Sequence, residues 1–91
     1  MRKVISCSIP EERGYFFLKL PRGAQPLYVL ETENGEKMFL AVNVNATIEK
    51  KKFLQVETGE VIEKSPPNKL VPIGIRTKTS SGLINHVFEV K

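Results

Sequence analysis

Apolar and polar positions along this chain repeat with a period of two, the spacing of a strand with one buried face, and no stretch sustains a helical period with caps. The pattern is clearest at the C-terminal end, where Leu70 to Thr79 and Leu83 to Val90 flank Ser80, Ser81 and Gly82, a predicted closing hairpin. Val71, Ile73, Ile75, Thr77 and Thr79 fall in step on the first arm, and Ile84, His86, Phe88 and Val90 on the second. These rows are the expected buried face, and Arg76, Lys78, Asn85 and Glu89 the expected polar one.

The earlier segments read the same way. Arg2 to Ile9 alternates Lys3, Ile5, Cys7 and Ile9 against Arg2, Val4, Ser6 and Ser8, and Pro10 ends it. Tyr15 to Leu20 sets Phe16, Leu18 and Leu20 against Tyr15, Phe17 and Lys19, with both faces expected to be partly covered. Leu27 to Thr32 and Lys37 to Val44 bracket Asn34 and Gly35, a hairpin signal because both residues tolerate positive φ. Met38, Leu40, Val42 and Val44 on one face, with Phe39 and Ala41 on the other, predict a central strand. In Ile48 to Glu57, Lys50 and Lys52 point one way and Lys51 the other, which predicts an exposed or edge strand. Glu60 to Asn68, with Ser65, Pro66 and Pro67, reads as a surface loop. The expected fold is all-β: residues 1–91 as one domain, a small antiparallel sandwich or partly closed barrel of six or seven strands in meander order.

Composition narrows the chemistry. A chain of 91 residues supports one modest core, so self-association into a homo-oligomer is an expected source of further stability. No long apolar window and no signal-peptide pattern are present, which predicts a cytoplasmic protein away from membranes. Cys7, the one cysteine, sits where a small buried hydrophobe would. The net charge of +4 favours anionic partners, although the basic residues are interspersed with Glu.

With one His, one Cys and no Asp, the sequence has no Ser-His-Asp arrangement, no zinc cluster and no Asp-rich calcium loop. Glu31 and Glu33 share a strand face beside an exposed hairpin tip, and the glycines lack phosphate-loop spacing. No enzymatic activity, metal or cofactor is expected. Anion binding without turnover remains, with Arg76, Lys78 and Asn85 as a guanidinium, a point charge and an amide in one patch. Arg22 offers a second guanidinium, and Tyr15 and Tyr28 offer stacking surfaces for a base. His86 is either a core histidine bonded to backbone or a ligand contact at a pocket mouth.

The segments LPRGAQPLYVLETENGEKMFLAVNVN and SSGLINHVFEV, with Thr58 and Gly59 between them, resemble a family of small uncharacterised phage and prophage proteins. In that family a P-x-G-A turn, an NG hairpin, a TG strand end and a C-terminal HVFE recur in this order. The chain departs from the pattern in lacking Trp and a His after Thr58 and Gly59, so no site built on those residues carries over. The resemblance implies a phage accessory protein in the host bacterial cytoplasm. In that context the expected function is to sequester a host immune signalling nucleotide, cyclic or ADP-ribose-derived, without turning it over, so blunting anti-phage defence. The alternatives are a small β-barrel binding nucleic acid through Lys50, Lys51, Lys52, Arg76 and Lys78 with Tyr15 or Phe17 stacking, and a protein–protein adaptor.

Overall fold

The computed structural model describes residues 1–62, 69–77 and 79–91; Lys78 and part of the expected 60–68 loop lie outside the described residues. Seven strands follow in order: β1 Arg2–Ser8, β2 Gly14–Pro21, β3 Gln25–Thr32, β4 Gly35–Asn43, β5 Ile48–Glu57, β6 Leu70–Arg76 and β7 Asn85–Val90. They form a three-stranded sheet, β1-β4-β3, and a four-stranded sheet, β2-β5-β7-β6, with every pairing antiparallel. The all-β sandwich expected from the sequence is the observed architecture, and no helix occurs among the described residues.

The meander order is not observed. Only β3–β4 and β6–β7 are neighbours in both sequence and sheet. A sandwich must bury two facing layers, so β1 and β2 place their apolar rows in different sheets, where Ile5 and Cys7 pack on the same core as Phe16, Leu18 and Leu20. Met38, Leu40 and Val42 of β4 are fully buried in that core, as the alternation predicts, and β4 is central in its sheet. Phe16 and Phe53, cross-strand partners, stack with ring centroids 5.3 Å apart. The β3–β4 hairpin turns at Glu33 and Asn34, and Gly35 follows at φ 99°, where a side chain would be strained.

Two expectations about the four-stranded sheet are overturned. β5 lies inside the sheet between β2 and β7, not at its edge. Its lysines are accommodated because Lys51 points inward to Glu89, Nζ to Oε2 at 2.7 Å, while Lys52 lies over the Tyr15 ring on the outer side. The faces of β7 are also reversed: Asn85, Val87 and Glu89 are inward, and His86, Phe88 and Val90 are half-buried outside. Register explains the reversal. Val87 pairs with Gln55 and Glu89 with Phe53, so the inward row of β5 dictates the inward row of β7. The polar members of that row are matched, Glu89 by Lys51 and Asn85 by Gln55, whose Oε1 accepts from Asn85 Nδ2 at 3.3 Å.

β6 ends at Arg76, short of the expected Thr79, and β7 begins at Asn85, so the two strands are further apart in sequence than the Ser80–Gly82 turn suggested. Thr77 N–H donates to Glu36 Oε1 at 3.0 Å, and Gly82 N–H to Thr79 O at 3.2 Å. Where β6 meets β3, Gly74 packs against Val29: a Cβ there would lie 3.1 Å from both Val29 N and Cβ. This contact brings the two sheets together at one edge. Gly74→Ala is therefore expected to destabilise the fold by about 1–3 kcal/mol through overpacking, read as a lower denaturation midpoint in urea.

Candidate functional site

Two places gather the side chains picked out by the sequence: a polar cavity at one end of the sandwich and the outer face of the four-stranded sheet. The cavity, of about 120 Å³, is lined by Glu11, Arg13, Glu57, Arg76, Asn85 and the hydroxyl-bearing 79–81 segment. Arg76 and Asn85 are cross-strand partners here, so the fold does bring these two together.

Both are committed to holding the structure. Arg76 Nη1 donates to Pro10 O at 2.8 Å, and Gln55 Nε2 donates to Pro10 O at 2.8 Å and Glu12 O at 3.1 Å. Together they fasten the β1–β2 connection over the end of the core. Asn85, 3% exposed, donates to Gln55. Arg76 Nε and Asn85 Oδ1 are buried without partners among the described residues, a donor and an acceptor on opposed residues. Arg13 faces Glu57 Oε1 at 3.6 Å and Glu60 Oε1 at 3.5 Å, and Ser81 Oγ donates to Glu57 Oε2 at 2.7 Å. Two arginines and two glutamates line the wall, so its charge is balanced and its pull on an anion weak. The volume suits a phosphate or carboxylate group and falls below that of a site enclosing a whole nucleotide.

The remaining sequence candidates lie elsewhere. Arg22 is exposed in the turn after β2, where its N–H donates to Thr47 O at 2.7 Å. Tyr28 is on the outer face of the three-stranded sheet, its ring 5.4 Å from that of Phe39. His86 is on the outer face of β7, opposite in direction to Asn85, with Nε2 2.8 Å from Thr58 Oγ1. The patch expected from Arg76, Asn85, Arg22 and the tyrosines is thus distributed over separate surfaces. Lys78 lies outside the described residues.

The outer face of β2 and β5 is the more open of the two places. Tyr15 and Phe17 are 51% and 58% exposed, so this side of β2 is not covered to the extent the sequence suggested. Successive rows across the two strands read Tyr15 with Leu54, Phe17 with Lys52, and Lys19 with Lys50. The Lys52 ammonium sits 4.3 Å from the Tyr15 ring centroid, a cation–π contact. Alternation along β2 already sets Lys19 beside Tyr15 and Phe17 but does not single it out as a site residue, because the register that adds Lys50 and Lys52 to this face is not a local property of the sequence. Arg13, Gln55 and Glu57 were likewise missed as cavity residues; a glutamine inside the run FLQV was the one available signal.

At the other end of the sandwich, Lys51 and the 95%-buried Glu89 side chain line a cavity of about 350 Å³ with Lys91 and the 23–26 turn. Cys7 packs against the core, and burial pushes its thiol above the ordinary value while Lys37 draws it partly back. Among the described residues no cluster of three or more His, Cys, Asp or Glu could hold a metal ion, and no helix is long and apolar enough to cross a membrane. No protein-family model, curated protein or solved structure matches the chain.

Three outcomes follow from this geometry. Arg76→Ala should cost about 1.5–3 kcal/mol of stability, because it releases the β1–β2 connection; chemical denaturation measures it. Lys51→Met should cost about 3–5 kcal/mol by leaving the Glu89 carboxylate buried and alone, with most of that recovered in the Lys51→Met/Glu89→Met double variant. The raised Cys7 value favours the folded state fully below the unfolded thiol's range, and this contribution is lost as pH rises through the folded value. Unfolding midpoints should therefore fall at alkaline pH by more in the natural chain than in Cys7→Ala.

Proposed function

We propose that the protein is a non-catalytic binder of single-stranded nucleic acid, with the outer face of β2 and β5 as its contact surface. The observation that carries this reading is the pair of exposed rings, Tyr15 and Phe17, two residues apart on one strand face and bordered by Lys19, Lys50 and Lys52. Side chains at this spacing stand about 7 Å apart, which leaves room for a base on each ring. A base stacking on Tyr15 displaces the Lys52 ammonium from the ring, and the freed cation meets a phosphate. Stacking of this kind is tolerant of sequence, because every base has a π face.

A second reading is favoured by the cavity that gathers Arg13, Arg76 and Asn85 with the hydroxyls of Thr79 and Ser81: capture, without turnover, of a host immune signalling nucleotide by its phosphate. The resemblance to phage and prophage proteins supplies the context for it. Because the cavity is small, the rest of such a ligand would rest on a second subunit.

Fluorescence anisotropy with short single-stranded oligonucleotides over a salt series separates the readings. For the nucleic-acid surface, affinity falls with a log–log slope of about −2, as three phosphate contacts on a single strand require. Tyr15→Ala and Phe17→Ala each weaken binding by about 1–3 kcal/mol while the melting temperature holds. Binding unaffected by both substitutions would sink the proposal. Retention of a small nucleotide, released intact on denaturation and identified by mass spectrometry, would support the second reading instead. A protein adaptor would bind neither.

A further inference from the structure

β6 carries an irregularity that opens a hollow on the same outer face. Pro72 pairs with Phe88 and Gly74 with Val87, so Ile73 is an extra residue in the ladder, a β-bulge. The bulge turns Ile73 toward the core, where it packs against the buried cluster. The next outward side chain on β6 is then Ile75, opposite His86, and the interval between Pro72 and Ile75 has no outward side chain of its own. A cavity of about 200 Å³ results, walled by Pro72, Ile75, His86 and Phe88.

The hollow and the aromatic pair lie on the same outer face, separated by Leu54, itself only 5% exposed. Tyr15 pairs with Leu54, Leu54 with Phe88 and Phe88 with Pro72, so these four form one outward row across the sheet. Strand spacing puts Phe88 about 10 Å from Tyr15, within reach of successive nucleotides crossing the sheet. Its wall is apolar on three sides and polar at one point, the composition of a small base pocket.

That polar point has a defined character. Thr58 Oγ1 lies 3.1 Å from Ile84 O and 2.8 Å from His86 Nε2. A single hydroxyl proton serves one of these contacts, and against a carbonyl oxygen only donation is attractive. In the assignment that makes both contacts attractive, Thr58 donates to Ile84 O, which also accepts from Thr58 N–H at 2.9 Å, and accepts from Nε2–H, which leaves Nδ1 as the acceptor of the neutral ring. No described residue donates to Nδ1.

We infer that the hollow between Pro72, Ile75, His86 and Phe88 is a nucleobase pocket that selects bases bearing an exocyclic amino group, adenine, cytosine and guanine, over thymine and uracil. The apolar walls take the faces of the ring, and His86 Nδ1 accepts from the amino group. Thymine and uracil can meet the same lone pair only through N3–H, which is recessed between two carbonyl oxygens, so their contact is weakened relative to that of a projecting amino group. The inference rests on the reading of the β2–β5 face as a nucleic-acid surface and names the base that surface prefers.

The test uses the full chain with homopolymeric single strands of dA, dC and dT, and separately with adenosine and uridine as free nucleosides followed by NMR. The chain should bind dA and dC strands about five-fold more tightly than dT, the effect of one hydrogen bond. His86→Phe should lower dA and dC affinity to the dT level with the melting temperature preserved. Adenosine should shift the His86 and Phe88 ring signals more than uridine does. Equal binding of all three strands by the natural chain, or a preference that survives His86→Phe, overturns the pocket. Strands that bind while the His86 and Phe88 signals stay still overturn the pocket and leave the Tyr15–Phe17 surface standing. Adenosine shifts without strand binding uphold the pocket and remove that surface, and silence from both probes removes both.

Discussion

The inward polar pairs of the four-stranded sheet are what the rest of the arrangement depends on. Lys51 with Glu89, and Gln55 with Asn85, lie between the two sheets, where an unmatched charge or amide would be costly. Each pair links β5 to β7, so each forms only in the register that sets Phe53 against Glu89 and Val87 against Gln55. A slip of one residue would bury His86 and Phe88 and leave the Lys51 partner on the far side of the sheet. Matched polarity thus does for β7 what an apolar row does for β4.

Everything at the cavity end follows from this choice. With Asn85 inward, its partner Arg76 is inward as well, and its guanidinium meets the carbonyls of Ile9 and Pro10 rather than solvent. Gln55 reaches the same connection, so one strand of each neighbouring pair holds the β1–β2 crossover. A side chain that reads as a free cation in the sequence becomes a clasp between the sheets. Arg13, Glu57 and Ser81 complete a polar rim whose charges largely cancel.

The other consequence is an outer face with aromatic and aliphatic character. Turning Asn85, Val87 and Glu89 inward leaves His86 and Phe88 half-buried on the outer side, next to Leu54 and Val56, which are themselves buried there, and the bulge in β6 adds a recess. Lys19, Lys50 and Lys52 border this surface without an acid interposed in their rows. Such a face has the elements needed for bases and phosphates together, whereas on the three-stranded sheet the cations that share the face of Tyr28 and Phe39 are Lys37 and Arg2, which donate to Ser8 and Gln25.

The sequence by itself determined that the chain is all strand, where most of the strands lie, and which rows of β1 and β4 are buried, because period-two alternation is a local property that each strand carries alone. It also singled out Arg76, Asn85, Tyr15 and Phe17 as residues of interest. Tertiary structure decided the order of the strands, the interior place of β5, the face of β7 that is buried, and the separation of Arg76 and Asn85 from the tyrosines. In β7 the apolar and polar rows are nearly balanced, so alternation does not say which is inward. That depends on Lys51 and Gln55, far away in sequence, and a pairing across the sheet is visible only once the strands have been laid side by side.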